Sequence, residues 1–149
     1  MNQVKPINIL LAEDNCDHAE LMIDTLKDFN SENSVVHVTN GEQLLEYLRK
    51  EQWNNTDGEH KPDLVLLDIK MPRMDGISAL REIKSDSKLK SMPVVMVTTS
   101  RAQSEIELCF NEGVNSFITK PIQFDEFSRK IRELNLYWVL TTELPGSHI

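Results

Sequence analysis

The sequence predicts an α/β fold of five βα units around a parallel sheet. Three observations predict it. Short apolar runs alternate with segments whose apolar residues recur at helical spacing. The runs are unbroken stretches of Val, Ile and Leu rather than alternating patterns, as expected for strands covered on both faces. A helical segment separates each strand from the next, which favours right-handed crossovers and a sheet with helices on both sides.

"INILLA" (Ile7–Ala12) is the first strand, and Ala19, Met22, Ile23, Leu26 and Phe29 mark the helix after it. "SVVHVT" (Ser34–Thr39) is a weaker second strand, followed by a helix over Gly41–Lys50 with Leu44, Leu45 and Leu48 on one face. A polar stretch, "EQWNNTDGEHKP", carries turn residues and ends in Pro62. "DLVLLD" is the third strand, and the helix over Gly76–Ser85 turns Ile77, Leu80 and Ile83 inward. "MPVVMVTTS" is the fourth strand, and the helix over Ser104–Glu112 holds Ile106, Cys109 and Phe110. "VNSFITKP" is the fifth strand, and Phe124, Phe127, Ile131 and Leu134 mark the last helix. No internal repeat, low-complexity segment or domain boundary interrupts this series, so one domain is expected over residues 1–149.

Composition fits a globular chain that needs no staples. It is 40% apolar and 27% charged, and a domain of 149 residues buries roughly 68–70% of its unfolded surface. The net charge of −8 argues against a general DNA or anionic-membrane binder, whose affinity rests on Lys and Arg. The apolar N-terminal run is too short for a signal peptide, and no segment approaches the ~20 apolar residues of a membrane span. Cys16 and Cys109 form no paired motif and both fall in helical segments, so reduced thiols in a cytoplasmic protein are expected.

Ligands of an open parallel sheet bind beyond the carboxyl ends of the strands. Here those ends carry Glu13 and Asp14, then Asp68, then Thr98, Thr99 and Ser100, then Lys120 and Pro121. If strands one, three, four and five are neighbours, three carboxylates, a hydroxyl and an ammonium converge. Three acids in one pocket repel each other, and a hard cation such as Mg²⁺ relieves that. Metal and Lys120 together suit Asp68 as a nucleophile toward phosphorus, with Thr98 as a further donor. Each element alone has a plainer reading. "ED" before a helix serves as a cap or dipole charge, Thr98 and Thr99 serve as β-branched strand residues, and Lys120 serves as a solvated lysine. Four successive strand ends arriving together favour the site.

"ILLAEDN", "DLVLLDIKMPRMDG", "PVVMVTTS" and "NSFITKPI" resemble, in order and spacing, a two-component receiver domain over about residues 6–135. The resemblance implies a flavodoxin-like fold with strand order 2-1-3-4-5 and an extension over residues 136–149. It implies that Asp68 accepts a phosphoryl group from a phosphohistidine of a sensor histidine kinase. It implies Mg²⁺ held by Asp14, by Glu13 largely through water, by Asp68 and by the main-chain carbonyl of Lys70. Thr98 would be the switch hydroxyl, Lys120 the phosphate-binding lysine, and the Lys120–Pro121 bond cis. Phe117 occupies the switch-aromatic position, where it lacks the hydroxyl of the commoner Tyr and also reads as an ordinary core aromatic. Lys70 either contacts the phosphoryl group or stands in solvent. The insert Glu51–Pro62 and the tail "LNLYWVLTTELP" resemble the small response regulators associated with phytochrome-type kinases. The chain stops at Ile149, so an output by protein–protein contact with a downstream partner, and not through DNA, is expected. The apolar run Leu134–Leu140 suggests a homodimer through the last helix and the tail.

Three other function classes compete. A haloacid-dehalogenase-type phosphatase needs a second acid two residues after its nucleophile, where this chain has Lys70. A flavodoxin-like electron carrier needs a phosphate-cradling loop after strand one, where this chain has "EDNCD". A degenerate, scaffolding receiver would lack the acceptor machinery that Asp14, Asp68, Thr98 and Lys120 supply here. The leading reading is a phosphorylation-switched binding module that is no independent enzyme.

Overall fold

A computed structural model describes residues 6–54, 56, 58–99 and 102–133. The elements are β1 (Asn8–Ala12), α1 (Cys16–Phe29), β2 (Ser34–Val38), α2 (Gly41–Leu48), β3 (Leu64–Leu67), α3 (Gly76–Ser85), β4 (Val94–Thr98), α4 (Gln103–Asn111), β5 (Ser116–Thr119) and α5 (Phe124–Glu133). All strand pairs are parallel and the order is β2-β1-β3-β4-β5. This is the flavodoxin-like (βα)5 fold expected from the sequence.

The unbroken apolar strands do what their pattern implies. Leu64, Val65, Leu66 and Leu67 are all fully buried, because alternate side chains feed two separate cores. One core joins Leu10, Val65, Leu67 and Met96 to α2, α3 and Cys109 of α4. The other joins Ile9, Leu11, Leu66 and Val97 to α1 and to Phe127 of α5. Burying one such side chain contributes roughly 1.5–3 kcal/mol, so the central strands anchor the fold and fix where their ends project. Phe127 meets Phe29 edge-on at 5.3 Å, tying α5 to α1.

Side-chain caps start three helices. Asn15, Asn40 and Asp75 accept from the backbone N–H groups of His18, Gln43 and Ser78. Helix α4 has no side-chain cap and buries only Cys109 fully. Phe110 does not turn inward with Cys109 but is 49% exposed, and Ile106 is half-buried. Successive helical residues lie about 100° apart, so facing Cys109 to the sheet turns Phe110 outward. The strands are also shorter than expected: β1 begins at Asn8 and β2 ends at Val38, and while the Ile7 carbonyl accepts from the Ser34 N–H, the Ile7 N–H donates to Asn33 Oδ1.

The polar insert folds back on α2. Tyr47 Oη donates to the His60 carbonyl and accepts from the His60 N–H, each at 2.8 Å. Lys50 pairs with Glu59, and Trp53 packs beside Tyr47 with ring centroids 6.5 Å apart. Cys16 is exposed and Cys109 buried, and both are free. The tail Leu134–Leu140 and the side chains of Phe124 and Ile131 lie outside the described residues.

Candidate functional site

Four strand ends build the site. Glu13 and Asp14 follow β1 directly. The Glu13 N–H donates to the Val38 carbonyl at 3.0 Å, which carries the ladder one residue past the strand and holds the Glu13 side chain fully buried. Asp14, one residue on, is exposed. Asp68 follows β3. Its N–H donates to the Ala12 carbonyl at 3.0 Å, its Oδ1 accepts from the Ile69 N–H at 2.8 Å, and the residue is 8% exposed. Carboxylate oxygens of Glu13, Asp14 and Asp68 lie within 4.8 Å of one another.

Lys120 completes the cluster from the end of β5. Its N–H donates to the Thr98 carbonyl at 3.0 Å, and its bond to Pro121 is cis, as the family resemblance implies. Its Nζ lies 3.0 Å from Asp68 Oδ2, pairs with Glu13 Oε1, and lies 3.1 Å from His18 Nδ1. Thr98 is buried at the end of β4, in register with Thr119. Phe117 is half-buried in β5 and packs on the core shared by α2 and α3. Lys70 is exposed.

The loop after Asp68 is tightly fitted. The Gly76 N–H donates to the Ile69 carbonyl at 2.8 Å, and a Cβ on Gly76 would lie 2.0 Å from the Asp68 carbonyl oxygen. Only glycine admits that approach. Asp75 caps α3, and the Met74 carbonyl accepts from the Gly41 N–H at 2.9 Å, so the loop is also tied to α2.

Burial is the main reason that the Glu13 carboxyl sits above the ordinary glutamate value, and the Asp68 charge adds to it. Hydrogen bonds from Lys120 and from the Asn15 N–H oppose the rise. Three acids face one ammonium, so the cluster is short of positive charge. The oxygen-only donor set, open at the exposed Asp14, fits a hard divalent cation. Of the residues predicted from the sequence, Glu13, Asp14, Asp68 and Lys120 come together, Thr98 stands at the end of the neighbouring strand, Phe117 packs on the core, Lys70 is exposed, and Ser100 lies outside the described residues.

The sequence reading missed His18. A lone histidine three residues after a cap gives no sign that a lysine from the far end of the chain lies against it.

The pattern of the response regulator receiver domain matches residues 9–132. This chain belongs to the response regulator receiver family. The probable methanogenesis regulatory protein FilR2 of Methanothrix harundinacea is 33% identical over 95% of this chain and 89% of that protein. Response regulator Rcp1 of Synechocystis is 28% identical over 95% of each chain. Its solved Mn²⁺-bound form matches this receiver domain with a TM-score of 0.70 over 94% of this chain and 99% of that one. The phosphorylated cyanobacterial phytochrome response regulator RcpA is 33% identical with a TM-score of 0.71, covering 90% of this chain and 94% of that one. Among the described residues, no helix of this receiver domain is long and apolar enough to cross a membrane.

Proposed function

We propose that this receiver domain takes a phosphoryl group onto Asp68 from a phosphohistidine of a sensor histidine kinase and signals by changing its protein–protein contacts. The observation that carries this reading is the Lys120 ammonium 3.0 Å from Asp68 Oδ2, inside a cluster of three carboxylates at the strand ends. A carboxylate oxygen of Asp68 attacks phosphorus, the phosphorus–nitrogen bond breaks, and its electron pair leaves with the donor imidazole. Lys120 supplies positive charge where negative charge spreads over the transferring oxygens, and Thr98 donates a further hydrogen bond.

Glu13, Asp14, Asp68 and the main-chain carbonyl of Lys70 would hold Mg²⁺. When bound, it neutralises the acids that would otherwise repel the donor. The manganese form of Rcp1 and the phosphorylated form of RcpA support both parts of this reading.

The domain acts on itself, in phosphoryl uptake and loss, and is no independent enzyme. Likeness to RcpA supports a phytochrome-type kinase as donor. The net charge of −8 supports a protein rather than DNA or membrane as partner, and two free cysteines support a cytoplasmic location. The apolar tail supports a homodimer through α5 and residues 134–140. Acetyl phosphate with Mg²⁺ tests the core reading. Uptake of a phosphoryl group that stops in excess chelator is expected, and equal uptake with chelator contradicts it.

A further inference from the structure

We infer that His18 is a positioning residue for Lys120, an inference that rests on Asp68 being the phosphoryl acceptor. An ammonium has three N–H donors and no acceptor. Lys120 faces three acceptors: Glu13 Oε1, Asp68 Oδ2 and His18 Nδ1 at 3.1 Å. Since a lysine only donates, Nδ1 accepts, and the proton of the neutral ring sits on Nε2. The Lys120 side chain is only 8% exposed, so water is a poor substitute for a lost partner.

The three acceptors pull in different directions. Glu13 is fully buried and draws the ammonium into the protein. His18 is half-buried on the first turn of α1, and it borders a cavity of about 320 Å³ that Leu21, Thr99 and Ile122 also line. It therefore holds the ammonium from the outer side, within 3.0 Å of Asp68 Oδ2. Without it the two acids are the remaining partners among these three, and the ammonium retracts toward Glu13.

The charges around His18 are few. Lys120 reaches it from the β5–α5 connection, with Glu13 and Asp68 behind. On its own helix end stand Asp14 and Asp17, both exposed. The other residues lining the cavity carry no charge.

Two substitutions separate positioning from simple packing. In His18→Asn, an amide oxygen occupies the place of Nδ1 and accepts the same hydrogen bond. In His18→Leu, volume is kept but the acceptor is lost. With acetyl phosphate and Mg²⁺, His18→Leu is expected to take up phosphoryl groups about tenfold more slowly, while His18→Asn stays within about threefold of the wild type. Imidazole nitrogen shifts of the unphosphorylated protein should show Nδ1 bare and Nε2 protonated. Equal rates for wild type and His18→Leu, a rate for His18→Asn as low as that of His18→Leu, or a ring whose proton sits on Nδ1 would each overturn the inference alone. A wild type that takes up no phosphoryl group overturns the proposed function, and this inference with it.

Discussion

Lys120 Nζ lies 3.0 Å from Asp68 Oδ2 while the same ammonium pairs with the buried Glu13, so one side chain bridges two acids that a metal would also use. Lys120 is the cation paired with the buried Glu13. Its removal leaves acids that repel each other.

Lys120→Met should therefore have two opposed effects. Mg²⁺ should bind about tenfold more tightly, because a competing cation is gone. Phosphoryl uptake should slow by about 100-fold, because a donor to the transferring oxygens is lost. Calorimetric Mg²⁺ titration and acetyl phosphate labelling check the two halves. Weaker metal binding in the variant contradicts the bridging role.

Gly76→Ala tests the loop that carries Asp68. The new Cβ would meet a backbone carbonyl at 2.0 Å, which no side-chain rotation relieves. A loss of about 3 kcal/mol or more is expected from urea unfolding, the upper end of overpacking costs. A variant as stable as wild type would mean that the loop adjusts freely.

Lys84 tests stability away from the site. Its Nζ donates to the carbonyls of Lys90 and Met92 and to Asn115 Oδ1, at 3.2, 2.9 and 3.1 Å. Lys84→Met removes these bonds, of which only the one to the Met92 carbonyl is partly buried, and should cost about 1 kcal/mol near neutral pH. Burial holds the Lys84 ammonium below the ordinary lysine value. The charged form is then penalised in the folded state, and this penalty lifts as pH rises through the folded value. Relative to Lys84→Met, the wild type should gain stability as pH rises from neutral toward the lysine range. A constant difference contradicts the burial penalty.

Much of this was legible in the sequence because the pattern and the chemistry agree. "LVLL" before Asp68 reads as a strand covered on both faces, and the structure buries all four residues fully. The acids, Thr98 and Lys120 are legible as strand-end residues because a parallel sheet gathers such ends along one edge. Their meeting depends on strand order, which apolar periodicity does not encode, and the order came from the family resemblance. Three features were not legible. Phe110 faces outward because Cys109 takes the sheet-facing position on a short helix. The insert is held by Tyr47 and Lys50, contacts that its polar composition does not announce. His18 meets Lys120 across 102 residues of chain, a pairing visible only in three dimensions.

Thr98 and Phe117 test signal transfer. Thr98 is buried at the end of β4, and Phe117 sits half-buried on the neighbouring strand. If Thr98 moves toward the phosphoryl group and Phe117 packs into the space left, protection should change along α4 and β5. Amide exchange with and without beryllofluoride measures this, and Thr98→Ala should remove the change beyond the Asp68 loop. Changes confined to that loop in the wild type would contradict the coupling.

Intact-mass measurement after incubation with acetyl phosphate and Mg²⁺ tests the central claim most directly. The wild type should gain a single phosphoryl group, and Asp68→Asn should gain none while remaining folded. Full labelling of the Asp68→Asn protein would show that the acceptor lies elsewhere.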